Sequence, residues 1–433
     1  MRTARRTHAV CIDGARIGVR FVQDTDGGDA YSAPMLYDPT AFEPLTEDTW
    51  DEARVRSRVA AIVADADESF DPDAFWEPVE DWDAAGGSAP LPLTTLYRGA
   101  SGVVFGLDVL REREVADSRL DLAAIARRAY ELWRANPAPE RTEPPVRTHA
   151  GLFDGDSGIL IVAYRVDPNP DVADALHRRV DENWDCETNE LMAGAPGTML
   201  AAKAMLDRTG EPRWADAWRR SADELWRRRY LDGFWTYPPF GKGIGASHGI
   251  GTNTNVLLDG GDLFASDRRE TLVVDTAEAL ARTAVVEDDL ANWPMAADDC
   301  GRLEWQGEWR LQWCHGGAGV VASAAEYLDE ELLLAGAELV WRAGPQSMAK
   351  GPGICHGTAG NGYALLKTFA RTGDERWLER ARRFAVHALG QVERWREQRG
   401  RGRCSLWAGD IGAALFAVDC LDGRSEVPIV DYM

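Results

Sequence analysis

The sequence predicts an all-α fold, an α/α toroid in which seven inner helices are ringed by seven outer ones. Three observations predict it. First, a Gly-x-x-Gly step followed by an apolar run recurs at Gly99/Gly102, Gly155/Gly158, Gly194/Gly197, Gly316/Gly319, Gly357/Gly360 and Gly409/Gly412, with a degenerate copy at Gly249. Second, the shortest interval between these starts is 39 residues (155 to 194) and the longest 67 (249 to 316), the range of a two-helix repeat. Third, the segments between them carry Arg, Glu and Asp on one face and Ala, Leu and Trp on the other. A helix that is apolar nearly all round must be buried, and a half-polar one belongs outside it, so each unit supplies one of each kind.

Residues 1–93 read as an N-terminal arm with one helix, and residues 94–433 as the seven-unit toroid. The first 45 residues are irregular and rich in Asp, Gly and Pro. From Asp48 to about Phe70, Val55, Val59, Ile62 and Val63 recur at helical spacing behind a cap at Asp48 or Thr49. Residues 71–93 are loop, broken by Pro72, Pro78, Pro90 and Pro92. Outer helices are expected over Leu120 to Asn136, Asp171 to Asn183, Arg213 to Tyr230, Arg269 to Val286, Glu330 to Ala343 and Arg376 to Arg396. At each inner-helix start, glycine allows close backbone approach. In most units this is a packing device. Only three units put His or Cys ahead of the first glycine.

Composition narrows the function. The 433 residues are 45% hydrophobic and include 17 Trp, which points to a large core. A net charge of −23 argues against a nucleic-acid partner, because phosphates would be repelled. No apolar run reaches the roughly 18 residues of a membrane span. The basic start is followed by too short an apolar run, Ala9 to Ile12, for a signal peptide, so a cytoplasmic location is expected. Seven widely spaced cysteines in such a chain suit metal binding or catalysis better than a disulfide framework.

The chemistry gathers where Cys and His precede Gly. Trp313-Cys314-His315-Gly316 is echoed by Cys355-His356-Gly357, and more softly by Ser247-His248-Gly249. Cys314, Cys355 and His356 offer two soft thiolates and one imidazole. That set suits Zn²⁺, and three protein ligands with a fourth position open is the catalytic arrangement. Cys11, Cys186, Cys300, Cys404 and Cys420 read as small buried hydrophobes instead. His315 could be a ligand, a proton-transfer group or a loop hydrogen-bonder. His248 is a candidate acid/base at the same register, and Glu190, four residues before Gly194, could orient it.

On these motifs, together with Ser-Leu-Trp-Ala-Gly-Asp-Ile-Gly (405–412), the chain resembles the lanthionine synthetase C-like proteins over about residues 94–422. The resemblance implies that Cys314, Cys355 and His356 hold one zinc, and that His248 and Arg310 are active-site residues. It also puts Glu190 at the position of the cyclases' catalytic Asp. The eukaryotic-type branch has Glu there, His at the place of His315, and a glutathione-contacting Lys at the place of Lys350, so this chain looks closer to that branch than to the nisin cyclase. Ser247 and Thr252 depart from the family pattern, standing where Ala and the second Gly are usual. No kinase, lyase or dehydratase region precedes the repeats, which implies a stand-alone member. The activity implied is zinc-dependent addition of a thiol (glutathione, another small thiol or a peptide cysteine) to dehydroalanine or dehydrobutyrine in a peptide, giving a thioether. Peptide cyclisation to lanthionine is the alternative, and a non-catalytic zinc- and thiol-binding scaffold the rival from another class. A toroid glycan hydrolase would need two carboxylates across the mouth. Glu190 and Asp154 make no convincing pair, and that class leaves Cys314 and Cys355 unexplained.

Overall fold

The protein is described by a computed structural model that covers residues 9–12, 15–18, 36–77, 92–137, 149–237, 241–297 and 309–433. Helix α1 (Glu52–Glu68) comes first. Seven inner helices then alternate with outer ones. The inner set is α2 (Ala100–Glu112), α4 (Asp156–Val166), α6 (Ala195–Thr209), α8 (Ile250–Asp259), α10 (Gly317–Ala324), α12 (Thr358–Thr372) and α14 (Asp410–Asp422). Each packs on the next inner helix, and α14 packs on α2, which closes the ring. The outer set is α3 (Leu122–Ala135), α5 (Pro170–Asn183), α7 (Pro212–Arg228), α9 (Ser266–Thr283), α11 (Glu330–Ala343) and α13 (Glu375–Arg399). The α/α toroid read from the repeat is therefore the fold.

The seventh outer helix is α1. It buries Val55, Val59, Ile62, Val63 and Ala66 and packs on α14 and α13. Asp51, rather than Asp48 or Thr49, caps it by accepting from Arg54 N at 2.7 Å. Arg58 pairs with Glu393 at 2.5 Å and Asp65 with Arg396 at 3.1 Å. The preceding segment is tied to the same outer wall, where Glu43 accepts from His387 at 2.6 Å and from Gln391 at 3.0 Å. The chain thus returns its N-terminal helix to complete the last pair, which the linear repeat could not indicate.

The inner helices all begin the same way. The first Gly of each step is the N-cap, with no side-chain cap bond. The second lies under the carbonyl of the residue six positions earlier. At Gly360 a Cβ would drive into the Ile354 carbonyl oxygen. Thr252 of the degenerate unit occupies this place, and its Oγ1 donates to the matching carbonyl, that of Ala246. The hydroxyl thus satisfies the group that a glycine elsewhere lets approach. Among the described residues five tryptophans, Trp214, Trp218, Trp293, Trp377 and Trp407, are wholly buried in the core.

Short antiparallel ladders depart from the all-helical reading. Strands β1 (Ala9–Ile12) and β2 (Ala15–Gly18) pair within a stretch expected to be irregular. Strand β3 (Lys242–Gly243) pairs with β6 (Ala296–Ala297), and β4 (Val285–Glu287) with β5 (Leu290–Asn292). The helix expected to reach Val286 ends at Thr283 because the β-branched Val285-Val286 step enters β4. Strands β7 (Leu311–Gln312) and β8 (His315–Gly316) form a hairpin with Trp313 and Cys314 as its turn. Cys300 and much of the 71–93 loop lie outside the described residues, as does the side chain of Cys11.

Candidate metal centre and active site

The loops that precede the inner helices form a belt at one end of the ring. Tyr97 N donates to Phe153 O (3.2 Å), and Phe153 N to Met192 O (3.0 Å). Leu191 N donates to Ser247 O (3.2 Å), Cys314 N to Cys355 O (3.3 Å) and Cys355 N to Trp407 O (2.9 Å). Ser405 Oγ, donating to Tyr97 O at 3.3 Å, links the seventh loop to the first. One register runs through the belt. Two residues before the capping glycine stand Tyr97, Phe153, Met192, Ser247, Cys314, Cys355 and Trp407. One residue before it stand Arg98, Asp154, Ala193, His248, His315, His356 and Ala408. Backbone pairing between neighbouring loops therefore brings residues far apart in sequence to one mouth.

Cys314, Cys355 and His356 come together there, with one ligand atom of each within 4.8 Å of the others. Both cysteines are nearly inaccessible, at 2% and 3% exposure. Cys355 Sγ is 3.7 Å from His356 Nε2, and Gln312 Nε2 donates to Cys314 Sγ at 3.0 Å. Burial alone would push the Cys314 thiol up, but hydrogen bonding with Cys355 and the neighbouring His356 hold it well below the usual thiol range. Two buried sulfurs and an imidazole, one sulfur favoured as thiolate, are a soft donor set that fits Zn²⁺. Hairpin geometry puts Cys314 in the turn, and Gly316, at φ 85°, accepts a left-handed backbone that a side chain would resist. Asn292 braces the same hairpin. Its Oδ1 accepts from Trp293 N at 2.8 Å and Gly317 N at 2.6 Å, while its Nδ2 donates to Leu36 O at 2.7 Å.

His248 lies beside this group. Its Nδ1–H donates to Glu190 Oε2 at 2.8 Å, which leaves Nε2 toward Ser247 Oγ at 3.3 Å. Glu190 is fixed in turn by accepting from Met192 N at 2.8 Å and Ala193 N at 2.7 Å. The His248 ring is stacked on Tyr237 at 4.6 Å and 10°, and faces His315 at 5.5 Å. His315 is not one of the three clustered donors. Burial pushes it down to about 4, with Cys314 opposing and the charge of Arg310 adding to the shift, so it is a neutral imidazole at neutral pH. Arg310 immediately precedes β7 at the foot of the hairpin, and its carbonyl accepts from Asn292 Nδ2 at 3.2 Å. Lys350 is half-buried in the turn where its N–H donates to Ser347 O at 2.9 Å, five residues before Cys355. Its place is the loop leading to the sulfur cluster, not the cluster itself.

Two contributors escaped the sequence reading. Tyr97 stands beside the sulfur pair, and burial together with Cys355 and Cys314 raises its hydroxyl far above the usual range. Tyr237 supplies the face on which His248 rests. The signal for Tyr97 is its register, two before Gly99, as Cys314 and Cys355 are two before theirs. Tyr237 has no such signal. Cys186, Cys404 and Cys420 are buried and take no part in a disulfide among the described residues, and burial pushes Cys404 up to about 12.

Comparison with known proteins bears on this site. The sequence profile of the family described as "Lanthionine synthetase C-like protein" matches residues 79–431. A Danio rerio protein described as "Glutathione S-transferase LANCL1" is 29% identical over 202 residues, 43% of this chain and 45% of that protein. An Arabidopsis thaliana protein, "LanC-like protein GCL1", is 35% identical over 85 residues, 18% of this chain and 19% of that one. The chain thus matches less than half the length of either relative. Among solved structures, nisin cyclase superposes with a TM-score of 0.54 at 13% identity, covering 84% of this chain and 94% of that one, a likeness of fold.

Proposed function

Because the chain belongs to the lanthionine synthetase C-like family, we propose that it joins a thiol to a dehydroamino acid in a peptide, with Cys314, Cys355 and His356 holding a zinc ion. The observation that carries this reading is the placing of a three-donor sulfur–imidazole cluster beside a carboxylate-oriented histidine, His248 on Glu190. When bound, zinc would supply a Lewis acid that lowers the pKa of a thiol. The remaining work falls to the chain's own groups. The thiol sulfur bonds to the β-carbon of dehydroalanine or dehydrobutyrine, and the electron pair of the alkene moves to the α-carbon and its carbonyl. His248 delivers a proton to the α-carbon, and Glu190 on its other nitrogen stabilises the ring through the transfer. The thiol proton replaces the one spent, so nothing leaves and the product is a thioether. Arg310 offers positive charge to the developing enolate oxygen. His315, neutral at neutral pH, and Lys350 are substrate-binding groups in this reading, Lys350 facing a carboxylate of a thiol such as glutathione.

Incubation of the purified protein with a dehydroalanine peptide and glutathione tests it. The peptide gains the whole mass of glutathione, and prior chelation abolishes the gain. A peptide carrying its own cysteine separates the cyclase alternative, because ring closure consumes the thiol with no change in mass. Absence of both products would leave a thiol-binding scaffold.

A further inference from the structure

Delivery of a proton by His248 requires that its Nε2 keep one direction, and a single hydrogen bond does not ensure that. The bond from Nδ1 to Glu190 Oε2 at 2.8 Å fixes one corner of the ring. Such a bond stays favourable over a wide range of angles, so the ring can still tilt about it. A flat partner on the ring face removes the tilt. Tyr237 is that partner, with ring centroids 4.6 Å apart and planes within 10° of parallel.

Tyr237 is itself held in place. It lies in the chain that joins α7 to α8 and is 4% exposed. Its N–H donates to Gly241 O at 2.6 Å, and β3, which follows, is anchored on β6. On the other side Trp235 Nε1 donates to Leu225 O at 2.7 Å. Between these anchors Thr236 O accepts from Asn189 Nδ2 at 3.1 Å. Asn189 immediately precedes Glu190. Arg228 Nη1 donates to Asn189 Oδ1 at 3.3 Å, which leaves the amide nitrogen for Thr236. Asn189 O accepts in turn from Asn253 Nδ2 at 2.9 Å, on the helix that His248 leads into. Asn189 therefore ties together the loop of Glu190, the linker of Tyr237 and the helix behind His248.

We propose that Tyr237 is a positioning residue for His248 and that Asn189 locks it there, so that one connected frame fixes both the Nδ1 corner and the plane of the imidazole. Its consequence for rate rests on the reaction proposed above, whereas the stack is measurable without that reaction.

The test uses Tyr237→Leu, which removes the ring, Tyr237→Phe, which keeps it, and Asn189→Ala, which releases Thr236 O with Tyr237 intact. In protein carrying 13C-labelled histidine, the His248 ring signal is assigned by its absence from His248→Asn and reports the stack through the ring current of its neighbour. Tyr237→Leu is expected to move that signal downfield, Tyr237→Phe to retain it, and Asn189→Ala to move it part of the way. With a dehydroalanine peptide and glutathione, Tyr237→Leu lowers kcat on the order of 10- to 100-fold at unchanged KM. Tyr237→Phe recovers most of that loss, and Asn189→Ala falls between. A folded Tyr237→Leu with the parent's kcat, or a Tyr237→Phe as slow as Tyr237→Leu, would overturn the proposal. So would an unmoved His248 signal in Tyr237→Leu, whether or not the parent forms thioether. An inactive parent whose signal moves in Tyr237→Leu and stays in Tyr237→Phe supports the stack and refutes only the reaction. Circular dichroism checks folding. If Tyr237→Leu fails it, Asn189→Ala is read in its place, where a parent-like signal and kcat overturn the proposal.

Discussion

Glu190 shows how much one side chain does at this site. Its two oxygens accept from His248 Nδ1, Met192 N and Ala193 N, so the group that orients the histidine also shapes its own loop, the one before Gly194. Glu190→Gln puts an amide NH2 where a second acceptor is required and leaves one buried donor unsatisfied. A loss of stability of about 1–3 kcal/mol follows, read by chemical denaturation, together with a fall in thiol-addition rate. His248→Asn keeps the loop bonds, so it lowers the rate with little change in stability. Equal stability losses in both variants would contradict this division of labour. At this scale the sequence was legible where residues repeat. Cys314, Cys355 and His356 were readable because the Cys-His-Gly step occurs twice. Tyr97 was not, because its neighbours in space are 258 residues away at Cys355 and its register is shared with an ordinary aromatic, Phe153.

Elements show the same contrast between local pattern and return of the chain. Outer helix α11 runs over Glu330–Ala343 as expected, because its apolar stripe and its capping Asp329 are both local. The inner helices depend on close packing of their starts. Gly360→Ala would force a Cβ into the Ile354 carbonyl, backbone that cannot give way, and costs about 3 kcal/mol; a melting temperature equal to the parent's would contradict that packing account. Helix α14 carries two buried carboxylates. Burial, against the pull of Arg113 and Tyr363, raises Asp419 to about 6, and burial raises Asp410 to about 7. A carboxyl with a raised folded pKa holds its proton longer in the folded chain. Stability from this source is fullest below the ordinary value of 3.8 and declines as pH rises toward the folded value. Asp419→Asn should therefore gain melting temperature relative to the parent between pH 4 and 6, and no relative gain would contradict the shift.

For the whole molecule, seven units close because α14 meets α2 and α1 returns to cover α14. Unit count and fold class were readable from glycine spacing, whereas the seventh outer helix came from a segment set apart from the repeats by a proline-rich loop. The four small ladders were missed because their pairing joins short segments with no alternation to read. Contacts between the loops convert sevenfold repetition into one site: Leu191 N to Ser247 O fixes the loop of His248, Cys314 N to Cys355 O joins the two sulfur loops, and the rings of His248 and His315 meet at 5.5 Å. The account therefore turns on a three-donor metal centre shared by two units. Its most direct test is the metal content of the purified chain and of Cys314→Ala, Cys355→Ala and His356→Ala. One zinc per chain in the parent and loss of that zinc in the variants is the predicted result; full occupancy in both cysteine variants would contradict it.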